Sequence, residues 1–254
     1  MKDLFDLTGR KALVTGSSRG IGRAIALAFA EHGADVGIHY VGNVTEARAT
    51  ADEVERLGQK TFCVQGDLGA EDCAEIIWKT VEREFGGADI LVLNASIQYR
   101  KSWREITSAD FNDQMNVNVR SSMLLIQKAV TFMEQKGWGR IVTVGSTQEV
   151  KPHPDMLVYS SSKAAQTLMV RSLAMQLAAK GITVNNLAPG AILTDRNAKV
   201  LSDDSYRRKV ADSIPVGYIG ETKDCVGAAL LLCSEAGRYI TGGSLIVDGG
   251  KAFQ

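Results

Sequence analysis

The sequence predicts a single α/β domain, a doubly wound parallel sheet of about seven strands with helices on both faces. Three observations carry this. Short β-branched runs alternate along the chain with longer segments of helical periodicity, the pattern of repeated β-α-β units. Several of those runs are apolar on both sides, as strands covered by helices above and below must be. The chain has 254 residues, 45% of them apolar, with 25 Gly and only 4 Pro, which is enough for one large core. No Pro- or Ser-rich linker and no internal repeat divides it, so one domain spanning 1–254 is expected.

The strands read in order as Lys11–Thr15, Asp35–Tyr40, Thr61–Gln65, Asp89–Asn94, Arg140–Gly145, Thr183–Ala188 and Ser244–Val247. Between them, Ile21–Ala30 places Ile21, Ile25, Ala28 and Phe29 on one helical face, and Val44–Leu57 does the same with Ala47, Ala51, Val54 and Leu57. Thr107-Ser108-Ala109-Asp110 has the form of a capping box and opens a long helix toward Lys136. A further helix runs from about Met156 to Lys180 and is stopped by Gly181.

Composition removes several function classes. Lys plus Arg is 29 and Asp plus Glu is 29, so the formal charge is zero and no basic field for nucleic acid is expected. The opening Met1-Lys2-Asp3-Leu4-Phe5-Asp6 has no apolar signal region, and apolar runs such as Ala228–Cys233 are too short to span a bilayer. Cys63, Cys73, Cys225 and Cys233 form no C-x-x-C, and His32, His39 and His153 form no local cluster with them. Reduced, buried cysteines, no metal and a cytoplasmic protein are expected.

Thr15-Gly16-Ser17-Ser18-Arg19-Gly20-Ile21-Gly22 lies between the first strand and the first helix. Gly16 permits a sharp turn, Gly20 a close approach of backbone to a diphosphate, and Gly22 close helix–sheet packing, while the helix N-terminus offers free N–H groups to phosphate. The same residues spell G-x-S-x-G, the nucleophile elbow of hydrolases. That alternative needs a His partnered by a carboxylate. His32 and His39 lie in or beside the first β-α-β unit, and His153 has only Asp155 nearby, so dinucleotide binding is the stronger reading.

Tyr159-Ser160-Ser161-Ser162-Lys163 sets a phenol and an ammonium four apart, on one helical face. An ammonium there is expected to lower the phenol pKa and make Tyr159 a general acid in reduction and base in oxidation. Ser146 ends the fifth strand, where the ligand crevice of an open α/β sheet lies, and its hydroxyl can polarise a substrate oxygen.

These motifs together resemble the short-chain dehydrogenase/reductase family over essentially the whole chain. The marks occur in the family's order: Thr15–Gly22, Asp67-Leu68, Leu93-Asn94-Ala95-Ser96, Asn118, Ser146, Tyr159 with Lys163, Pro189-Gly190 and Val247-Asp248-Gly249-Gly250. The resemblance implies a Rossmann fold and an NAD(P)-dependent interconversion of a secondary alcohol and a ketone, with Asn118, Ser146, Tyr159 and Lys163 catalytic. Asn118 would hold a water in a proton relay with Lys163. Asn116 competes with it, and matching Phe111 to the aromatic that usually opens this segment selects Asn118. Lys163 would also bond the nicotinamide ribose. Asp67 would bind the adenine, followed by Leu68; Asn94 and Ala95 would line the adenosine side; Ile192 and Thr194 would hold the carboxamide. The usual N-N-A-G reads Leu93-Asn94-Ala95-Ser96, so Ser96 adds a side chain near the nicotinamide or the substrate.

No carboxylate ends the second strand at Tyr40, and Arg19 precedes Gly20, so NADP(H) is expected over NAD(H). Substrate contacts are expected from Ser146, Gln148 and Tyr159, with Gln98, Tyr99, Arg100, Glu149 and His153 as loop candidates. A polar lid over about 191–215 carries Asp195, Arg196, Lys199, Asp203, Asp204, Arg207, Arg208 and Lys209. These polar groups favour a sugar, polyol or hydroxy acid over a steroid.

A 3-oxoacyl-[acyl-carrier-protein] reductase is the nearest alternative. Such reductases typically carry two arginines for the acidic carrier where this chain has Gly137 and Met175. A non-catalytic NADP-binding subunit is the alternative from another class. Relatives pair through the two long helices and the last strand, so a homotetramer is expected.

Overall fold

The computed structural model describes residues 4–253. Met1, Lys2 and Asp3 of the opening hexapeptide, and the lid side chains of Lys199 and Val200, lie outside the described residues.

The chain runs β1 (Lys11–Val14), α1 (Gly20–Glu31), β2 (Asp35–Tyr40), α2 (Val44–Arg56), β3 (Thr61–Gln65), α3 (Cys73–Phe85), β4 (Ile90–Leu93), α4 (Ser108–Met115), α5 (Ser121–Lys136), β5 (Gly139–Val144), α6 (Leu157–Leu177), β6 (Ile182–Pro189), α7 (Asp195–Leu201), α8 (Asp204–Asp212), α9 (Val226–Cys233) and β7 (Ser244–Val247). The seven strands form one parallel sheet in the order β3-β2-β1-β4-β5-β6-β7. Three predicted strands have the predicted ends, and the other four differ by a residue at one or both ends.

One face of the sheet packs on α1, α2 and α9 around Ile25, Phe29, Val54 and Leu232. The other packs on α3, α5 and α6 around Ile77, Leu125, Met133 and Val170. The strand order reverses between β1 and β4, which opens the crevice at their C-terminal ends.

Two helices end as their sequence predicts. Thr107 and Asp110 cap α4 reciprocally, and Gly181 adopts φ 77° after the short 3₁₀ turn that finishes α6. The single long helix expected from Thr107 to Lys136 is instead interrupted. Asn116–Arg120 is a π-helical turn in which the Ser121 N–H donates to the Asn116 carbonyl, five residues back. Hydroxyls take up carbonyls of this turn: Ser121 donates to Val117 O at 2.6 Å and Ser122 to Asn118 O at 3.1 Å. The extra residue per turn carries Asn118 inward, fully buried.

The four cysteines are free. Cys73, Cys225 and Cys233 are buried as expected, but Cys63 is only half-buried. Among the described residues no helix is long and apolar enough to cross a membrane.

Candidate active site

The glycine turn is fastened to both neighbouring strands. Thr15 Oγ1 accepts from the Asn94 and Ala95 N–H groups at 2.9 and 3.1 Å, and Asn94 Nδ2 donates to the carbonyls of Thr15 and Gly16. Gly16 and Gly20 have φ of 63° and 61°, the left-handed region that glycine enters without strain. A Cβ on Gly22 would stand 2.4 Å from Asn94 Nδ2 and 2.5 Å from Gly16 O, so the helix packs where only glycine fits.

His39 adds a contact that the sequence did not reveal. Its Nδ1 accepts from the Gly16 N–H at 3.0 Å, so Nε2 carries the proton and donates to Gly66 O at 2.9 Å. Burial holds this imidazole down to about 4, against the opposing bond to Gly66, so it is neutral at working pH. Both ring nitrogens are thus committed to backbone. Among the described residues none of the three histidines hydrogen-bonds Ser18, which removes the hydrolase reading of the elbow.

A diphosphate fits this turn on structural grounds. Arg19 is the N-cap of α1 but its side chain makes no cap bond, and the first turn holds no acidic residue. The first N–H groups of α1 therefore face the crevice at the positive end of a twelve-residue helix dipole. Tyr40 is half-buried at the end of β2, and Asn43 is engaged in capping α2 through Glu46 N. Arg19 is exposed. Asp67 is exposed, its Oδ1 accepting from Gly69 N, above buried Leu68.

Across the crevice stand the candidate catalytic side chains. Ser146 and Tyr159 are buried, and the Ser146 hydroxyl favours ionisation of the Tyr159 phenol. Ser146 Oγ also accepts from Gln148 N at 3.2 Å. Lys163, 1% exposed, puts Nζ 5.6 Å from the Tyr159 ring centre and donates to Val144 O at 2.8 Å and Gln166 Oε1 at 2.9 Å.

The electrostatics correct one expectation. Burial pushes the Tyr159 phenol up, and the lowering influences are the charge of Arg196 and the Ser146 hydroxyl rather than Lys163. Lys163 itself is drawn down to about 7, by burial first and then by Arg196, with Glu149 opposing. A deeply buried ammonium is costly, so Lys163 sits near its own midpoint and cannot act as a fixed charge on the phenol.

Asn118 Oδ1 accepts from Ile97 N, and its Nδ2 donates to Ile97 O and Ser162 Oγ, between 2.9 and 3.0 Å. Gln166, buried on α6, joins the two halves. It accepts from Lys163 and donates to Ser122 Oγ, which itself bonds Asn118 O. The signal for Gln166 was its place three residues after Lys163 on the same helical face.

The other predicted residues divide. Pro189 ends β6, and a Cβ on Gly190 would lie 2.6 Å from Asp248 Cβ. Ile192 is buried and bridges to Gly220, and Thr194 N donates to Asn197 Oδ1. Gln148 accepts from Ser160 Oγ, beside Tyr159. Glu149 turns away from the cleft, its carboxylate accepting from Thr167, Asn186 and Ser244. Tyr99, Arg100 and His153 form a separate surface patch with Asp113 and Asp155. Arg196, placed among the solvated lid charges from sequence, instead reaches Ser96: Nη1 to Oγ at 3.2 Å and Nη2 to the carbonyl at 2.7 Å.

The family described as Enoyl-(Acyl carrier protein) reductase matches residues 16–252, spanning the glycine turn, Ser146 and the Tyr159/Lys163 pair. The chain belongs to the short-chain dehydrogenase/reductase family. It is similar to a 3-oxoacyl (acyl-carrier-protein) reductase from Agrobacterium tumefaciens C58 with NADP bound, at 35% identity and TM-score 0.92, over 97% of this chain and 95% of that one. It is similar also to a 7α-hydroxysteroid dehydrogenase complexed with NADH and 7-oxo glycochenodeoxycholic acid, at 35% identity and TM-score 0.93, over 98% and 97%. A gluconate 5-dehydrogenase from Burkholderia cenocepacia J2315, in complex with NADP and tartrate, matches at 30% identity and TM-score 0.93, over 99% and 98%. As a member of this family the protein is an NAD(P)-dependent oxidoreductase.

Proposed function

We propose that the protein interconverts a secondary alcohol and a ketone on a small polar substrate, a sugar, polyol or hydroxy acid, with NADP(H) as preferred cofactor. The observation that carries the reaction is the buried Ser146, Tyr159 and Lys163 gathered at the crevice floor, with Lys163 Nζ 5.6 Å from the Tyr159 ring centre. A substrate oxygen bonded by both hydroxyls would be polarised by Ser146 and exchange its proton with Tyr159. Lys163 and Asn118 stand behind Tyr159 and would be held in place by Gln166 and Ser122. Bound NAD(P) supplies or takes up the hydride. Gly16, Ser18, Gly20, Ile21 and Gly22 would receive its diphosphate. Tyr40, Asp67, Leu68, Asn94 and Ala95 would line the adenosine, and Ser96, Pro189, Gly190, Ile192 and Thr194 the nicotinamide end.

Ser96, Gln148 and Arg196 make the cleft polar, which supports a hydroxylated substrate over a steroid. Met175 is 81% exposed where carrier-linked reductases have a cation, so the carrier-protein reading is weaker. The lid over 191–215 would close on the substrate. A screen of oxidation and reduction across sugars, polyols, hydroxy acids, steroids and 3-oxoacyl thioesters tests this. Turnover fastest on a polar alcohol or its ketone is expected, and fastest turnover of a carrier-bound thioester or a steroid would overturn it.

The cofactor preference rests on exposed Arg19, on the absence of a carboxylate in Tyr40-Val41-Gly42-Asn43, and on NADP in two of the three solved relatives. Arg19→Ala is expected to lower kcat/KM with NADPH about tenfold and leave NADH nearly unchanged; an unaltered ratio would refute it. A cytoplasmic homotetramer is proposed as well. Leu157, Leu168 and Met175 form an exposed apolar stripe on α6, and Leu245 is exposed on the edge strand β7. Light scattering is expected to give about four times 27.3 kDa, and a monomer mass would contradict the assembly.

A further inference from the structure

Arg196 occupies an unusual position for a lid cation. It stands in the first turn of α7, yet its guanidinium crosses to the loop after β4 and bonds both the hydroxyl and the carbonyl of Ser96. Among the described residues it makes no ion pair with any carboxylate. Its two acceptors are neutral, and its charge is felt by both Tyr159 and Lys163. The carboxylates closest in chemistry are engaged elsewhere: Glu149 with Thr167, Asn186 and Ser244, Asp155 with Arg100, and Asp113 with Tyr99. An exposed guanidinium with only neutral partners is thus placed where its charge reaches Tyr159 and Lys163, and an anion entering there would pair with it.

The anion has two sources, the cofactor's diphosphate and the substrate. The fold separates them. Thr194, two residues before Arg196, is the side chain nearest Gly20, 3.7 Å from the position of a Cβ there, so Thr194 faces the glycine turn. Arg196 instead bonds Ser96, and its charge acts on Tyr159 and Lys163.

We propose that Arg196 recognises a carboxylate on the substrate, so that the alcohol or ketone turned over belongs to a small hydroxy or oxo acid. Ser96 would hold the guanidinium in place before the substrate arrives, and the planar fork would grip both carboxylate oxygens. This deepens the small-polar-substrate reading above and rests on it.

The test compares an aldonate with the alditol of the same chain length, which differ at a carboxylate, and measures tartrate binding to the NADPH-loaded enzyme by calorimetry. The wild-type enzyme is expected to prefer the aldonate. Arg196→Met is expected to raise KM for the aldonate at least about tenfold while the KM for the alditol changes less than about twofold; any change in kcat, through the charge that Arg196 places near Tyr159 and Lys163, is expected to be shared by both substrates. Arg196→Lys should recover part of the loss, tartrate binding should vanish in Arg196→Met, and the Kd for NADPH should stay unchanged. Equal rises in KM on both substrates would overturn the proposal. A raised Kd for NADPH with tartrate affinity intact would assign the guanidinium to the diphosphate instead. If neither sugar compound is turned over but tartrate binds in an Arg196-dependent way, the substrate reading fails and the carboxylate site stands. If both are turned over and tartrate binding ignores Arg196, the carboxylate site falls while the substrate reading survives.

Discussion

Ser146, Tyr159 and Lys163 stand on the ends of β5 and α6, and Arg196 and Tyr206 stand on α7 and α8, a few residues across the same cleft. The first group is buried. The second belongs to a segment whose own buried core is Leu201, Ile214 and Ile219, with an outer face of Asp203, Asp204, Arg207, Arg208 and Lys209. On the floor Lys163 and Ser146 have fixed partners at hydrogen-bond distance, so the proposed proton transfer would be arranged in advance. On the lid the described attachments to the opposite wall are few polar bonds, such as Arg196 to Ser96. A segment with so little buried apolar area lies at the low-stability end of the molecule. Under the proposed function the floor would carry the chemistry and the lid the substrate choice, and substitutions can separate the two.

The largest effect belongs to the floor. Tyr159→Phe is expected to lower kcat about 1000-fold while the Kd for the cofactor, read by fluorescence titration, stays within about twofold. Retained activity would remove Tyr159 from the proton transfer.

A smaller effect tests how tightly the cofactor side is locked. His39 is held to about 4 in the folded chain, against an ordinary 6.5, so the unfolded chain takes up the proton first as pH falls. Stability present above 6.5 is therefore lost as pH drops toward 4, by about 3 kcal/mol. His39→Asn keeps an acceptor near Gly16 but cannot protonate. Its melting temperature should begin lower at pH 7 and then fall less between pH 7 and pH 4 than that of the wild type. Parallel melting curves across that range would show that another group controls the acid limb.

The smallest effect is expected on the outer lid. Replacing Arg207, Arg208 and Lys209 together by Gln should change stability by less than about 0.5 kcal/mol and kcat/KM on the best small substrate by less than about twofold. A loss of tenfold would mean that this exposed face meets the substrate or a partner.

How much of this was legible in the sequence follows the same division. The strands and the glycine turn are written locally: buried parallel strands are continuous β-branched runs, Gly16 and Gly20 take the left-handed backbone that glycine enters freely, and Gly22 marks a position where a side chain has no room. Ser146, Tyr159 and Lys163 could be found because strand end and helix spacing are both local. What failed depended on distance or on burial. Ser96 and Arg196 are 100 residues apart, and nothing in the polar lid sequence distinguishes Arg196 from its solvated neighbours. His39 reads as one more strand residue until Gly16, 23 positions earlier, is folded against it. The sign of the Tyr159 shift was misjudged because residue spacing describes a neighbouring charge but not the loss of water around both groups.

The π-helical turn at Asn116–Arg120 makes the site sensitive to chain length as well as to residue identity. An α-helix advances about 100° per residue, so one residue fewer here would let α4 and α5 fuse into a regular helix and rotate everything on one side of the join by that angle. Asn118 would then leave Ile97 and Ser162, and the Ser122 hydroxyl would leave Gln166, although no catalytic residue had been replaced. A surface loop of this protein can gain or lose a residue at little cost. In this buried helix a deletion of Val117 would act like the loss of the whole relay, so among related sequences the spacing from Thr107 to Ser122 should vary less than the side chains that fill it.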